Sequence, residues 1–81
     1  MSAREMFEKL GYELNEQNSN KILYKMKWEI STSYYIGFDI GNKLIEAFIT
    51  SDSPFTTSEP IDIDIDLLQA INKQVEELGW W

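Results

Sequence analysis

The chain of 81 residues contains no cysteine and no histidine. Without cysteine there is no disulfide framework, no thiolate nucleophile and no sulfur ligand for zinc or an iron–sulfur cluster. Without histidine there is no triad base, no imidazole metal ligand and no side chain that titrates near neutrality unperturbed. Acid–base work would fall to carboxylates, Lys, Tyr and hydroxyls, each with a strongly shifted pKa. A domain this small has little low-dielectric interior in which to make such shifts. The expectation is therefore a protein that is not an enzyme and carries no cofactor and no metal.

No apolar run approaches the ~20 residues of a membrane span. The opening MSAREMFEKLG lacks the charged and apolar regions of a signal peptide. The expected workplace is the cytoplasm, with no membrane partner. Basic residues are also scarce after position 43. Residues 1–43 carry six basic and six acidic groups, whereas residues 44–81 carry Lys73 alone against eight acids. The net charge of −7 lies wholly in the second half. Direct nucleic-acid binding is disfavoured, because phosphates call for a basic stripe that displaces counterions.

What is present is apolar enough for one packed core. Hydrophobic residues make up 43% of the chain, with four Phe, four Tyr and three Trp, too many for a disordered acidic tail. Ser2 and Glu5 form an S-x-x-E capping box. Ala3, Met6, Phe7 and Leu10 share one helical face, and Gly11 sits where a helix C′ residue belongs. A short helix over 3–10 follows. Tyr12-Glu13-Leu14 can begin a strand, and Asn15–Asn20 reads as a polar turn. Ile22, Tyr24, Met26, Trp28 and Ile30 alternate with Leu23, Lys25, Lys27 and Glu29, the clearest strand signal in the chain. Tyr34, Ile36, Phe38 and Ile40 give a second strand, and Gly41-Asn42 a two-residue hairpin. Residues 43–50 give a third, with Ile45, Ala47 and Ile49 inward and Leu44, Glu46 and Phe48 on the other face.

Residues 51–60 are a loop by composition. Ile61, Ile63 and Ile65 alternate with Asp62, Asp64 and Asp66 as a last short strand. Asp66 and Gln69 then open a helix over 67–78 with Leu67, Leu68, Ile71, Val75 and Leu78 as its apolar stripe. Gly79 ends it, and Trp80 is expected to fold back onto the core. The fold class is α+β, a single domain over 1–81. A short N-terminal helix precedes an antiparallel meander of three to five strands, and a C-terminal helix packs on one sheet face.

Two groups of residues are candidates for binding. Glu46, Glu59, Asp62 and Asp64 form an acidic set that would attract a partner with a basic surface or imitate a row of phosphates. Carboxylates two residues apart on a strand lie ~6.5–7 Å apart. The same charges also serve solubility. Tyr35 and Phe48, with Leu23 and Leu44, form an aromatic and apolar set on the face opposite the helices, and Trp81 is a further anchor. Either a partner protein or a second copy covers that face, or the first helix or the 51–60 loop does. Asp62-x-Asp64-x-Asp66 opens like a calcium loop, but Leu67 stands where Gly is required and Lys73 where Glu is required. It reads as the polar face of a strand that runs into a helix cap.

The two ends of the chain, AREMFEKLGYEL at 3–14 and LLQAINKQVEELGWW at 67–81, resemble small uncharacterised proteins of phages and prophages of Gram-positive bacteria. Those begin with a phrase like A-R-x-M-F-E-x-L-G-Y and end with one like A-I-N-K-Q-x-E-E-L-G-W. The resemblance implies a phage or prophage origin and a bacterial host cytoplasm. It assigns no residue a role. The function expected is that of an accessory protein which binds a host protein and inhibits or redirects it. In its sharpest form it is an acidic nucleic-acid mimic acting against host defence, as anti-CRISPR proteins of that type do. The alternatives are a nucleotide sponge using Lys25, Lys27, Lys43, Tyr34 and Tyr35, and a virion structural or assembly protein.

Overall fold

The computed structural model describes residues 1–51 and 62–80. Among them the chain forms α1 (Ala3–Lys9), β1 (Glu13–Gln17), β2 (Lys21–Glu29), β3 (Thr32–Asp39), β4 (Leu44–Ser51) and α2 (Ile65–Glu77). The strands pair antiparallel in the order β1-β2-β3-β4. The fold is thus α+β, a four-stranded meander with a helix at each end, as the hydrophobic periods predict.

Both helices start and stop on local signals. The Ser2 hydroxyl accepts from the Glu5 backbone N–H at 3.2 Å, and the Glu5 carboxylate accepts from the Ser2 N–H at 3.1 Å. These bonds to Ser2 hold the Glu5 carboxyl below its ordinary pKa. At the far end Leu10 is the C-cap and Gly11 takes φ 95°. The Gly11 N–H donates to the Glu8 carbonyl and the Tyr12 N–H to that of Phe7, each at 3.0 Å. Helix α2 ends the same way, with Gly79 at φ 72° and the Trp80 N–H on the Val75 carbonyl. Each end is a Schellman motif, and each puts an aromatic residue directly after the glycine. That geometry turns Tyr12 and Trp80 back toward the core, and Trp80 meets Phe38 edge-on at 6.4 Å between ring centroids.

The start of α2 differs from expectation. Asp64, not Asp66, is the N-cap, its carboxylate accepting from the Leu67 N–H at 2.8 Å. The helix begins at Ile65, and residues 62–64 are not a strand. The Ile63/Ile65 alternation imitates a strand, but the cap at Asp64 starts the helix at Ile65, two residues before the expected Leu67. In this helix Leu67, Ala70, Ile71, Gln74 and Val75 point inward. Leu68 leaves the stripe and is 42% exposed, against 5% for Ile71.

Register settles the two sheet faces. Ile22, Phe38 and Ile45 align across β2, β3 and β4, as do Tyr24, Ile36 and Ala47, and Met26, Tyr34 and Ile49. This is the helix side. Phe7 of α1 stacks on Tyr24 at 4.0 Å and meets Phe38 and Tyr12 edge-on. The Tyr24 hydroxyl donates to Gln74 Oε1 at 2.6 Å, so the buried polar pair satisfies itself. Burial in this layer, with the Glu77 carboxylate near, pushes the Tyr24 phenol up to about 12. The two helices are tied by the Ala3 N–H, which donates to Glu77 Oε2 at 2.7 Å.

Three further expectations are corrected. Trp28 and Ile30 do not continue the buried row of β2. The register shifts between Lys27 and Glu29, which leaves Trp28 63% exposed and Ile30 fully in solvent beyond the strand end. The β3–β4 connection is a four-residue turn, Ile40–Lys43, and not a two-residue hairpin at Gly41-Asn42. Asp39 organises it by accepting from both the side chain and the backbone N–H of Asn42. Lys43, not Gly41, takes the left-handed conformation at φ 55°. Finally, β1 extends to Gln17 through residues expected as a turn. Leu23 and Ile22 of β2 supply the pairing partners for Glu16 and Gln17 there.

Candidate binding face

The face away from the helices is built from the alternate residues of the same strands. Leu23, Gly37 and Glu46 align across it, as do Lys25, Tyr35 and Phe48, and Lys21, Asp39 and Leu44. Glu13 stands opposite Lys25, and Glu16 opposite Leu23. Every residue expected on this face is on it, because the chain keeps one uninterrupted register from Thr32↔Ser51 to Asp39↔Leu44.

Its centre is aromatic. Tyr35 and Phe48 lie directly opposite each other and stack at 4.9 Å with an interplanar angle of 12°. The Lys25 ammonium sits 5.7 Å from the Tyr35 ring centroid, within cation–π range. Beside the stack, Gly37 leaves a hollow of about 280 Å³ bounded by Leu23, Phe38, Asp39, Glu46 and Phe48. A Cβ at Gly37 would stand 3.3 Å from Leu23 Cδ1, so the missing side chain forms the floor of this hollow. Phe48 closes one side and is 39% exposed. No helix among the described residues lies over this face.

The rim is polar and of mixed sign. Lys21 pairs with Glu16 at 3.3 Å on the β1 side. Lys25 and Lys27 follow along β2, and Glu46 stands on β4. Asp39 is engaged by Asn42, whose side-chain and then backbone bonds hold its carboxyl below the ordinary range. It belongs to the turn as well as to the rim.

The two candidate sets fare differently. Tyr35 and Phe48 are brought into contact. The acidic set is not gathered into one surface. Glu46 lies on the open sheet face, whereas Asp64 caps α2 on the helix side and Asp62 precedes it, exposed. Glu59 and Trp81 lie outside the described residues, as does the 51–60 loop beyond Ser51. The set proposed for a nucleotide also divides. Tyr35 is on the open face, but Tyr34 is on the helix side against Trp28. The hollow is slightly below the roughly 300–1,000 Å³ of clefts that bury a small ligand.

Sequence reasoning underrated Gly37, whose role appears only once Leu23 and Glu46 are seen to flank it. The signal in the sequence is its period-2 phase, which makes it the one β3 position on the Tyr35 face without a side chain. No family model, curated protein or solved structure matches the chain.

Proposed function

We propose that the protein is a non-enzymatic accessory protein that binds another protein through the open face of its sheet and thereby inhibits or redirects it. One observation carries this reading. The stacked Tyr35–Phe48 pair stands with Leu23 and Gly37 at the centre of a sheet face that no described helix covers. An aromatic pair beside an apolar floor, surrounded by charged groups, has the makeup of an interface core with a polar rim. The resemblance of the chain ends to small phage and prophage proteins makes a bacterial host protein the partner we propose, with a defence component as the sharper form. The net charge of −7 steers a partner with a basic surface. A strict phosphate-mimic reading is less favoured, since Glu46 and Asp64 lie on opposite sides of the sheet.

The test is affinity capture from a Gram-positive host lysate with wild type, Phe48→Lys and Asp62→Asn as baits, each confirmed folded by circular dichroism. The expected result is one host protein held by wild type and Asp62→Asn and lost with Phe48→Lys. Loss with Asp62→Asn but not with Phe48→Lys would move the site to the acidic segment before α2. A blank with the folded wild type counts against protein binding altogether.

A further inference from the structure

Among the described residues, the two edges of the sheet are built to opposite rules. The β1 edge is short, carries Glu13 and Glu16 within five residues, and breaks register between Leu14 and Glu16. Short length, charge and a bulge are the devices that keep an edge from pairing with another chain. The β4 edge has none of them. It runs eight residues, LIEAFITS, without proline, lysine or a register shift, and its one charge is Glu46. It is apolar on both faces: Leu44 and Phe48 on one side, Ile45, Ala47 and Ile49 on the other. The helix layer stops short of it, leaving Ile45 45% exposed, and Leu44 on the open face is 53% exposed.

We propose that β4 is a homodimer edge, where a second copy of this chain pairs antiparallel with it about a two-fold axis and extends the sheet to eight strands. The strand is complementary to itself in that arrangement. With the axis at Ala47, Ile45 falls beside Ile49 of the second copy and Glu46 beside Phe48. The strand's only charge therefore never faces its own copy directly, which like-charge cross-strand pairing would penalise. On the helix side the Ile45, Ala47 and Ile49 side chains of both copies make one apolar strip. An isologous contact of this kind closes on itself and does not propagate into fibres. The inference is independent of the proposed host partner. The dimer would leave both open faces on one surface, so the two Tyr35–Phe48 stacks would be presented together.

The absence of native cysteine makes the test clean. Sedimentation of the full chain at millimolar concentration should give twice the 9.5 kDa of the monomer. Ala47→Lys, at an already exposed site, should keep the fold and weaken the dimer by roughly a hundredfold. Ala47→Cys should cross-link to itself under mild oxidation, and Glu13→Cys on the other edge should not. Because each copy is net negative, raising salt should strengthen the dimer. A folded wild-type chain that stays at 9.5 kDa, or a dimer that survives Ala47→Lys or weakens with salt, overturns the proposal. So does hydrogen exchange showing the outward β4 amides, those not bonded to β3, protected in a dilute monomer, which would mean the chain covers its own edge. Protection that appears only on adding host lysate would give the edge to another protein and overturns it equally.

Discussion

Tyr24 and Ile36 lie under the helices and are almost fully buried, while Lys25 and Tyr35, each one residue away, stand on the uncovered face. The same two strands therefore serve two surfaces with different demands. Under the helices the aromatic rings of Phe7, Tyr12, Tyr24, Phe38 and Trp80 interlock, and the one buried polar pair satisfies itself. Across the sheet a single stack is held by its own neighbours. Most of the buried side chains lie on one face, and the other carries the Tyr35–Phe48 stack.

The strongest way to break this contrast is a charge in α2. Ile71→Asp buries an unpaired carboxylate in the covered layer. For a domain of this length the whole stability is roughly 4–12 kcal/mol, so this variant is expected to lose the cooperative urea transition. Leu68→Asp, three residues earlier but outside the stripe, should stay folded with a midpoint close to wild type. Equal damage from both would mean that α2 is rotated on the sheet.

Next come the two phenylalanines. Phe38→Ala should cost about 3–5 kcal/mol by denaturant titration, as truncations of buried aromatics do. Phe48→Ala removes a partly exposed ring and one side of a stack, an effect of about 1 kcal/mol. A Phe48 cost approaching that of Phe38 would mean that the open face is part of the core.

Tyr24→Phe is a smaller change with a pH signature. It leaves Gln74 Oε1 without its donor, at a cost of about 1–2 kcal/mol. In the folded chain the Tyr24 phenol is pushed up to about 12 by burial, from 10.0. A raised pKa means the unfolded chain gives up its proton first as pH rises. The stabilisation is therefore complete below pH 10 and drains away between pH 10 and about 12. Burial raises Tyr12 in the same direction. Alkaline denaturation monitored by far-ultraviolet circular dichroism should show a shallower loss in this window for Tyr24→Phe. An unchanged slope would place the titration elsewhere.

The smallest effect is expected on the open face. Lys25→Ala lifts the cation from Tyr35 and should shift stability by about 0.5 kcal/mol or less. Its use is as a contrast, since a half-buried rim residue that barely alters folding can still alter capture of a partner.

Signals confined to a few neighbouring residues were readable in the chain. The Ser2/Glu5 box, the glycines at 11 and 79 and the inward–outward alternation of β2, β3 and β4 each depend on contacts within one turn or one pleat. From that alternation alone Tyr35 and Phe48 fall on the same face. What could not be read depends on choices between equivalent local options. Asp64 and Asp66 are both competent caps, and only packing of Leu67 and Ile71 selects the first. Trp28 keeps to the helix side edge-on against Tyr34, yet at the strand end it stands 63% exposed. Gly41 is the obvious residue for a left-handed turn position, yet the Asp39–Asn42 bonds place that conformation at Lys43. The acidic set was grouped by sequence proximity of its charges, and the sheet divides it.

The bond from the Ala3 N–H to Glu77 spans 74 positions, and it ties the first helix to the last. Helix α1 alone is two turns, too short to persist unaided, and the sheet has no cover until α2 arrives with Leu67, Ala70, Ile71 and Val75. Until α2 docks, Phe7, Tyr24 and Phe38 lack their cover, and the core then closes in one long-range step. Such closure is slow for a domain of this size. A chain cut before Ile65 would leave the apolar helix side of the sheet uncovered.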